Sequence, residues 1–384
     1  MVKISTFQAL RPTRQLVTKV PTKAYSNYSK EDIKKEIQKN QYSFLNIITT
    51  NPNLSIKKRF KIIQANFNKF EQEGVLIKDE NCGIYVYRQT TDKHTYTGLI
   101  CAINLKEYQN KNIKIHEKTI KKRENLFAKY LGITKIHAEP VLITYDSIKK
   151  CIGKNDISAK NKLYDFQNKE GIRHEVWHII DQKKINKIIK NFQSISSFYI
   201  ADGHHRMASS LKCGKTEKCL AYILPKQELS TYPFHRVLSI KKPTKKILQE
   251  MQKHFNIRTR DFPHQQTNNI QFYIDKQWHE IIFKKEQKKD ILEDLLVAKL
   301  LNKVLKPIFN IEDERGSKNI RFISGNKPVQ EITKNIKDNE ILFFMNTIQI
   351  DTIIQIANNN QTTPPKSTFI LPKIPSGLIM MKLT

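Results

Sequence analysis

The sequence predicts a mixed α/β protein, and three observations support that expectation. Short apolar stretches rich in Ile, Val, Tyr and Phe alternate with longer segments whose apolar residues recur at helical spacing. The chain has 384 residues, which is enough for two domains of ordinary size. Its composition, 39% hydrophobic and 27% charged, is that of a folded protein. We place the domains at residues 1–240 and 241–384.

Several helices are predicted in the first domain, residues 1–240. The sequence SKED at 29–32 is a capping-box pattern, and Ser55 opens a segment with apolar residues at helical spacing that Gly74 closes. A third helix is predicted from about Glu117 to Leu131, ended by Gly132, and another around residues 184–192. Strands are predicted at GIYVYRQ (83–89), HTYTGLICAIN (94–104), EPVLITYD (139–146), IRHEVWHIID (172–181), KCLAYILP (218–225) and FHRVLSI (234–240).

The second region continues the alternation with shorter elements. Helices are predicted at ILQEMQKHF (247–255) and ILEDLLVAKLLNKVL (291–305). Strands are predicted at IQFYID (270–275), WHEIIF (278–283) and RFISG (321–325). The segment 364–378 carries apolar residues and prolines, so we expect it to pack rather than to fray.

The formal net charge of +31 has two readings. A strongly basic protein attracts nucleic acid. The basic residues are mostly Lys, however, and are spread along a chain that is also rich in Ile and Asn, a pattern typical of compositional drift. We favour drift, so nucleic acid is not the expected partner, although the charge would still attract anionic small molecules.

Targeting signals are not evident in the sequence. No apolar run approaches the length of about 18 residues needed to span a bilayer, and the first residues lack a signal-peptide pattern. Five Cys, none in a Cys-x-x-Cys motif, argue against a disulfide framework or a structural zinc site. We therefore expect a cytoplasmic protein with no membrane partner.

The most informative stretch is SSFYIADGHHRMASSLKCG at 196–214. An apolar strand ends at Asp202, and good helix formers follow from Met207, so the polar turn between them lies at the carboxyl end of a strand and the amino end of a helix. Such ends bind anions through free N–H groups and the helix dipole. Gly203 allows close approach of a ligand, Arg206 offers a fork for phosphate, and His204 and His205 can donate to phosphate or shuttle protons. Asp202 would instead hold a metal ion or a hydroxyl or ammonium group.

Three further clusters offer phosphate-binding or acid–base groups. Each combines cationic, imidazole, carboxylate or hydroxyl side chains within a short segment, and each also has a purely structural reading. His174 and His178 are spaced as on a strand, so we do not expect zinc there. The three clusters are His116, Glu117 and Arg123; His235 and Arg236; and Lys366, Ser367 and Thr368.

Several of these segments together carry a family resemblance. FYIADGHHRMASS resembles the motif of the bacterial domain-of-unknown-function ten-fifteen family. The likeness extends along the chain through FQALRP, QYSFLNI, IHEKT, RHEVWHIID, FHRVL and PPKSTFILPKIPSGL. One segment departs from the family, because Tyr25 is followed by Ser26 where members carry a Pro-Tyr-Asp motif.

The Asp-Gly-His-His-Arg turn is also similar to that of free serine kinases of the ParB/sulfiredoxin-like superfamily. This resemblance implies a ParB/sulfiredoxin-like phosphate-binding catalytic domain over 1–240 and an α/β domain over 241–384. From the residues themselves we also expect the tail, 364–378, to return to the site, because Pro364 and Pro365 stiffen the approach to Lys366 and the FILP segment after it is apolar enough to be buried. It implies phosphoryl transfer involving free L-serine or phosphoserine, as a serine kinase or in reverse as phosphoserine dephosphorylation. ATP, ADP or pyrophosphate would be the phosphate partner, with Mg²⁺.

Phosphoryl transfer then assigns roles to the candidate residues. Arg206, the histidines, Lys366 and Mg²⁺ would neutralise phosphate charge. Asp202 and Glu117 are the candidates for the carboxylate that positions and deprotonates the hydroxyl. Two other functions stay open. One is a ParB-like protein that binds nucleotide or nucleic acid and has no kinase activity. The other is a non-catalytic scaffold that keeps the ligand pocket.

Overall fold

The structure is a computed structural model that describes residues 2–147, 151–264, 267–283, 290–314 and 317–383. The chain divides into two compact units, and the mixed α/β class expected from the sequence is confirmed. Unit 1 comprises residues 1–115, 119–229 and 372–384, and unit 2 comprises residues 116–118 and 230–371. The functional division at residue 240 stays a prediction.

Unit 1 contains helices and the strands of two sheets. The helices are α1 (Lys30–Lys39), α2 (Phe44–Ile48), α3 (Ile56–Gln72), α4 (Leu105–Gln109), α5 (Lys121–Thr134), α6 (Gln182–Gln193) and α7 (His204–Cys213). The strands are β1 (Ile4–Ser5), β2 (Ala9–Pro12), β3 (Leu76–Lys78), β4 (Ile84–Thr90), β5 (Thr95–Asn104), β6 (Ile113–Lys114), β7 (Ile136–His137), β8 (Val141–Tyr145), β9 (Lys162–Gln167), β10 (Arg173–Ile179), β11 (Phe198–Asp202), β12 (Lys218–Pro225) and, from the end of the chain, β20 (Met380–Lys382).

The large sheet of unit 1 positions the motif of interest. Its strand order is β6-β11-β8-β12-β5-β4-β10-β9, with β1 paired to β5. Strand β11 lies between β6, which is parallel to it, and β8, which is antiparallel. Ile200 of β11 and Ile143 of β8 are fully buried in the core cluster of this sheet. Burial on both sides fixes β11, so its carboxyl end at Asp202 is held in place.

The small sheet of unit 1 incorporates the end of the chain. Its strand order is β3-β2-β20-β7, so β20 pairs with β2 on one side and with β7 on the other. Met380 of β20 is fully buried in a cluster with Leu10 and Phe67. The C-terminal segment is therefore an integral part of the fold of unit 1.

Unit 2 contains the remaining elements. The helices are α8 (Thr244–His254), α9 (Leu296–Lys299), α10 (Lys306–Phe309), α11 (Val329–Thr333) and α12 (Ile350–Asn358), with a π-helical stretch at Leu300–Leu305 between α9 and α10. The strands are β13 (Ser230–Ser239), β14 (Asn256–Arg260), β15 (Ile270–Ile274), β16 (Gln277–Ile282), β17 (Ile320–Ser324), β18 (Glu340–Phe344) and β19 (Thr368–Leu371). The sheet has the order β14-β16-β15-β18-β13-β17, and β19 pairs with β13.

Helices with local start signals were predicted correctly. Ser29 caps α1 in a capping box with Asp32, and Ser55 caps α3 by accepting a hydrogen bond from the N–H of Lys58. The predicted strands are also present, although most differ by a residue or more at their ends. The side chain that caps the first N–H groups of a helix is close to them in the sequence, so these helix starts can be predicted from the sequence.

Two helices were predicted with wrong boundaries. The helix expected from Glu117 begins at Lys121, because His116 and Glu117 pair with Thr363 instead of entering the helix. It also continues through Gly132 to Thr134 and ends with Lys135 in the left-handed region. The helix expected at 291–305 begins at Leu296, after a turn.

In the part of the chain that the structure describes, no helix is both long enough and apolar enough to cross a bilayer.

Candidate functional site

The Asp-Gly-His-His-Arg turn joins β11 directly to α7. Asp202 is the last residue of the strand and Gly203 is the N-cap residue of the helix. The helix begins at His204, three positions earlier than predicted, so His204, His205 and Arg206 form its first turn. The first N–H groups of a helix have no partner within it, and glycine has no side chain with which to cap them. The turn therefore presents backbone donors of the kind that bind anions.

Gly203 is required at this turn for two reasons. Its φ of 93° lies in the left-handed region, which is strained for other residues. A Cβ at this position would also lie 3.0 Å from Nε and 3.1 Å from Nη2 of Arg206. The glycine thus lets the Arg206 guanidinium lie against the backbone of the turn.

Asp202 is held by two cations. Its Oδ2 atom lies 3.2 Å from Nη2 of Arg206 and 2.9 Å from Nζ of Lys373, a residue of the C-terminal segment. Burial would raise the pKa of the Asp202 carboxyl, but Lys373 and Arg206 outweigh burial and hold this pKa well below its usual range. Asp202 is therefore ionised throughout the physiological pH range.

Arg206 binds protein groups rather than pointing freely outwards. Besides Asp202, its Nη1 atom donates to the carbonyl oxygen of Pro140 at 2.5 Å and lies 3.2 Å from Oε2 of Glu139. The side chain remains 27% exposed. The fork predicted for a bidentate phosphate contact is thus shared between two carboxylates and a carbonyl, and phosphate binding by Arg206 stays a prediction.

The two histidines of the turn differ in their environments. His204 is buried, with 6% of its surface exposed. The Nε2 atom of His205 accepts a hydrogen bond from the backbone N–H of Ile120 at 2.9 Å, at the N-cap of α5. As an acceptor, this nitrogen carries no proton, so the proton of neutral His205 is on Nδ1. In this state His205 cannot donate to phosphate through Nε2.

The segment that carries Glu117 belongs to unit 2. Thr363 donates to the carbonyl oxygen of His116 from its N–H at 2.8 Å and from its hydroxyl at 3.1 Å, and Glu117 forms a parallel bridge with Thr363. Unit 2 thus brings the segment 116–117 next to the segment that leads into Pro364. Arg123 lies on the exposed first turn of α5 in unit 1.

His235 and Arg236 are buried in unit 2. The Nδ1 atom of His235 accepts from the N–H of Met345, and burial lowers the pKa of His235 to about 3. Arg236 is fully buried, and its Nη2 atom lies 3.0 Å from Oε2 of Glu314, which is also buried. These contacts make the pair a structural feature of unit 2, and a phosphate contact by either residue stays a prediction.

The Lys366 segment is packed against the same part of unit 2. Nζ of Lys366 lies 5.0 Å from the centre of the Phe234 ring, and Nη2 of Arg236 donates to the carbonyl oxygen of Pro365. The hydroxyl of Ser367 donates to the carbonyl oxygen of Pro364, which closes a turn, and Thr368 begins β19. Three of the predicted clusters, at 116–117, 235–236 and 366–368, therefore lie within unit 2.

Several partners of the candidate residues were missed by the sequence analysis. Glu139 and Lys373 bind the two charged residues of the turn, Ser376 binds Glu139, and Glu314 pairs with Arg236. The segments that carry Glu139, Lys373 and Ser376 were already noted as family blocks or strand ends. No local pattern marks Lys373 as a partner of Asp202, Glu139 as a partner of Arg206, or Ser376 as a partner of Glu139.

Metal ligands are sparse in the described ranges. No group of three or more His, Cys, Asp or Glu side chains there is arranged to hold a metal ion. Asp202 and Glu139 are the carboxylates around Arg206, and both are already in contact with a cation. A metal ion at this turn would therefore draw most of its ligands from a phosphate-bearing substrate and water.

The solved structures that match this chain share little sequence with it. SbnI with a C-terminal truncation from Staphylococcus aureus is 11% identical, with a TM-score of 0.41, over 72% of this chain and 85% of that chain. A free serine kinase in complex with AMP is 14% identical, with a TM-score of 0.40, over 74% and 91%. A conserved hypothetical protein from Pyrococcus furiosus is 13% identical, with a TM-score of 0.39, over 74% and 95%.

Family membership follows from a different comparison. No curated protein matches the chain. The model of the family described as "Protein of unknown function (DUF1015)" matches residues 4–301, which is well over half of the chain. The chain belongs to this family of proteins of unknown function, DUF1015.

Proposed function

We propose that this protein is a phosphotransferase that acts on free L-serine or phosphoserine, with ATP, ADP or pyrophosphate as the phosphate partner. The observation that carries the proposal is the turn at 202–206. There, an ionised carboxylate, two cations and the first N–H groups of a helix meet at the carboxyl end of a buried strand. Such an arrangement suits a substrate that carries both a phosphate and a cationic or hydroxyl group.

Phosphate binding is supported by the donors of the turn. The N–H groups at the start of α7 are aligned with the positive end of the helix dipole. Lys373 and Arg206 lie beside them, with 36% and 27% of their side chains exposed. Lys366, which is exposed, is proposed as a further phosphate ligand.

Group transfer requires a carboxylate that takes the serine proton. In the forward direction, the serine oxygen forms a bond to phosphorus, the bond from phosphorus to the bridging oxygen of the donor breaks, and the hydroxyl proton passes to the carboxylate. We assign this role to Glu117 and the orientation of the serine ammonium or hydroxyl to Asp202. In reverse, the same groups return the phosphoryl group to AMP, ADP or phosphate and release serine.

Mg²⁺ is part of the proposal as a partner of the phosphate groups. It is usually held by one or two carboxylates together with phosphates and water, and Asp202 is the residue at this turn that fits such a role. When bound, the ion would neutralise charge on the transferred phosphoryl group.

We propose serine as the acceptor because the turn resembles that of free serine kinases. On the same resemblance we propose that the protein belongs to the ParB/sulfiredoxin-like superfamily. The alternative, a nucleotide or nucleic-acid binding protein without kinase activity, is favoured by the net charge of +31. A salt series separates the two, because nucleic-acid binding through diffuse lysines falls steeply with added salt.

The experiment is a product assay with the full chain. The protein is incubated with L-serine and ATP, ADP or pyrophosphate, and separately with phosphoserine and AMP, ADP or phosphate, each with Mg²⁺, and products are followed by ³¹P NMR. We expect the wild-type protein to transfer phosphate between one of these pairs. We expect the Asp202→Asn variant to do so at a rate at least 100-fold lower. A preparation that binds nucleotide but forms no phosphoserine or serine from any pair would contradict the proposal.

A further inference from the structure

Glu139 and Pro140 hold one side of the Arg206 guanidinium. Nη1 of Arg206 donates to the carbonyl oxygen of Pro140 at 2.5 Å and lies 3.2 Å from Oε2 of Glu139. Each Nη atom of a guanidinium carries two N–H groups, so these two contacts occupy both N–H groups of Nη1. The guanidinium is therefore attached to the segment 139–140 through Nη1.

The remaining donors of Arg206 lie beside the turn. Nη2 donates to Oδ2 of Asp202 at 3.2 Å with one of its two N–H groups, and Nε has no partner among the residues that the structure describes. Two donors are therefore open, one on Nε and one on Nη2. These are also the two atoms nearest to the Cβ position of Gly203, at 3.0 and 3.1 Å. The open donors thus lie next to the backbone at the start of α7, where we propose that phosphate binds.

The segment that carries Glu139 is fixed at both ends. It connects β7, which pairs with β20, to β8, which lies between β11 and β12 in the large sheet. Oε1 of Glu139 accepts a hydrogen bond from the hydroxyl of Ser376. Ser376 is fully buried, and its backbone N–H and carbonyl groups both pair with Thr22. The Glu139 carboxylate is therefore held in place where it contacts Arg206.

A carboxylate next to an arginine can affect phosphate binding in two opposite ways. It can compete with the phosphate for the guanidinium, which weakens binding. It can instead fix the guanidinium in the orientation that the phosphate needs, which strengthens binding. The contacts favour the second role, because Glu139 contacts Nη1 whereas the open donors are on Nε and Nη2.

We propose that Glu139 is a positioning residue, which fixes Nη1 of Arg206 so that the Nε–Nη2 edge binds a phosphate or pyrophosphate group of the substrate. This inference rests on the proposed phosphotransfer, and it adds the edge of Arg206 that the phosphate takes. A bidentate contact needs both N–H groups in a fixed orientation. An arginine that is ordered before binding avoids the cost of immobilising a long side chain, which corresponds to about tenfold in affinity.

Two conservative variants distinguish positioning from competition. Glu139→Asp keeps the charge but shortens the side chain by one methylene group, so the carboxylate no longer reaches Nη1. Glu139→Gln removes the charge but keeps the length and an acceptor oxygen, and its amide can donate to the Ser376 hydroxyl. The matched control is Glu36→Gln, at a glutamate of α1 that pairs with Lys169 and whose side chain is 23% exposed, against 29% for Glu139.

Pyrophosphate binding to the full chain is measured by isothermal titration calorimetry. If Glu139 positions Arg206, Kd should rise about tenfold in Glu139→Asp and stay within about threefold of the wild type in Glu139→Gln and Glu36→Gln. If Glu139 competes with phosphate, Kd should be unchanged in Glu139→Asp and lower in Glu139→Gln. The second pattern, or equal Kd values in Glu139→Asp and the wild type, would overturn the inference.

A second measurement follows the guanidinium itself and needs no ligand. ¹⁵N relaxation gives the order parameter of the Arg206 Nε–H group, whose signal the Arg206→Lys variant identifies. We expect about 0.8 in the wild type and in Glu139→Gln, and below about 0.6 in Glu139→Asp. If Glu139→Asp does not fold, Ser376→Ala replaces it, because this variant removes the hydrogen bond that holds Glu139. An order parameter that neither variant lowers would overturn the inference.

Kinetics separate this inference from the proposed function. In the transfer assay, Glu139→Asp should raise KM for pyrophosphate or ADP about tenfold and leave KM for L-serine within about twofold of the wild type. An unchanged KM for pyrophosphate and ADP refutes the role of Glu139 alone. A raised Kd for pyrophosphate in Glu139→Asp, in a protein that transfers no phosphate, supports that role and refutes the phosphotransferase. Failure of the wild type to bind pyrophosphate or ADP would overturn the inference, and the product assay then judges the proposed function separately.

Discussion

At the scale of single residues, the turn depends on a glycine that cannot be replaced without moving Arg206. Gly203 combines a φ of 93° with a Cβ position 3.0 Å from the Arg206 guanidinium. Gly214, at the other end of α7, also lies in the left-handed region, with φ of 63°, but no atom lies within 4 Å of a Cβ there. Both glycines have a left-handed backbone that strains other residues, but only Gly203 has a side chain next to its Cβ position.

This difference gives a matched pair of variants. Gly203→Ala and Gly214→Ala should each lower the free energy of unfolding by about 1–2 kcal/mol, the usual cost of a left-handed non-glycine residue. We expect Gly203→Ala also to displace Arg206 and abolish phosphoryl transfer, and Gly214→Ala to retain it. Urea unfolding and the product assay measure the two effects. Equal activity in the two variants would contradict this role for Gly203.

Glu117 is the second residue whose role can be isolated. If it takes the serine proton, Glu117→Gln should keep substrate binding and lower kcat by about 10²–10⁴-fold, as expected for loss of a general base. The pairing of 116–117 with Thr363 uses backbone atoms and the Thr363 hydroxyl, so the amide substitution should leave it intact. Steady-state kinetics with a parallel binding measurement decide the matter. An unchanged kcat would remove Glu117 from the mechanism and leave Asp202 as the candidate base.

At the scale of secondary-structure elements, the start of α5 is tied to the start of α7. The N–H of Ile120 at the N-cap of α5 donates to Nε2 of His205 in the first turn of α7. Ile120 has no polar side chain to cap the helix, so the imidazole satisfies a backbone group at this end. The bond also places His205 as a residue that orders the start of α5.

The prediction at this scale concerns hydrogen exchange. His205→Ala should remove the acceptor, speed exchange of the Ile120 amide and lower stability by about 0.5–1.5 kcal/mol. His205→Gln retains an acceptor oxygen and should restore part of the protection. His94→Ala, at an exposed histidine of the same unit, serves as the control. Exchange at Ile120 that is the same in all variants would show that the bond is not formed in solution.

Sequence reasoning predicted the elements whose signals are local. Capped helices such as α1 and α3, and the strand–turn–helix at 198–213, were predicted because the residues that determine them are neighbours in the chain. The start of α5 was missed because Glu117 pairs with Thr363 and the N-cap N–H of Ile120 pairs with His205, and both partners are distant in the chain. Lys373 and Glu314 were missed for the same reason, since nothing in their surroundings in sequence indicates that they pair with Asp202 and Arg236.

At the scale of the whole molecule, several histidines are buried in a neutral state. Burial lowers the pKa of His174 and of His137 to about 4, and that of His235 to about 3. His174 lies in the large sheet of unit 1, where its Nδ1 atom is 2.7 Å from the Tyr87 hydroxyl. These groups take up protons more readily in the unfolded chain, whose histidines titrate near pH 6.5.

This burial predicts a loss of stability in mild acid. As pH falls from about 6.5 to about 4, the unfolded state binds protons that the folded state does not, so the free energy of unfolding decreases. At pH 5, each such histidine should contribute a loss of about 2 kcal/mol relative to pH 7. His174→Phe should reduce the loss by about that amount, and His94→Phe should not. Urea unfolding at the two pH values tests this, and an identical loss in His174→Phe and the wild type would contradict it.

The central claim is that phosphate binds at the turn between β11 and α7, and amide NMR tests this most directly. Pyrophosphate and ADP are titrated into the ¹⁵N-labelled full chain at low and at high salt. We predict that the largest shifts fall on the amides of residues 203–206, that they persist at high salt because the contact is local, and that Gly203→Ala removes them. Shifts confined to lysines scattered over the surface, or lost on addition of salt, would contradict the account.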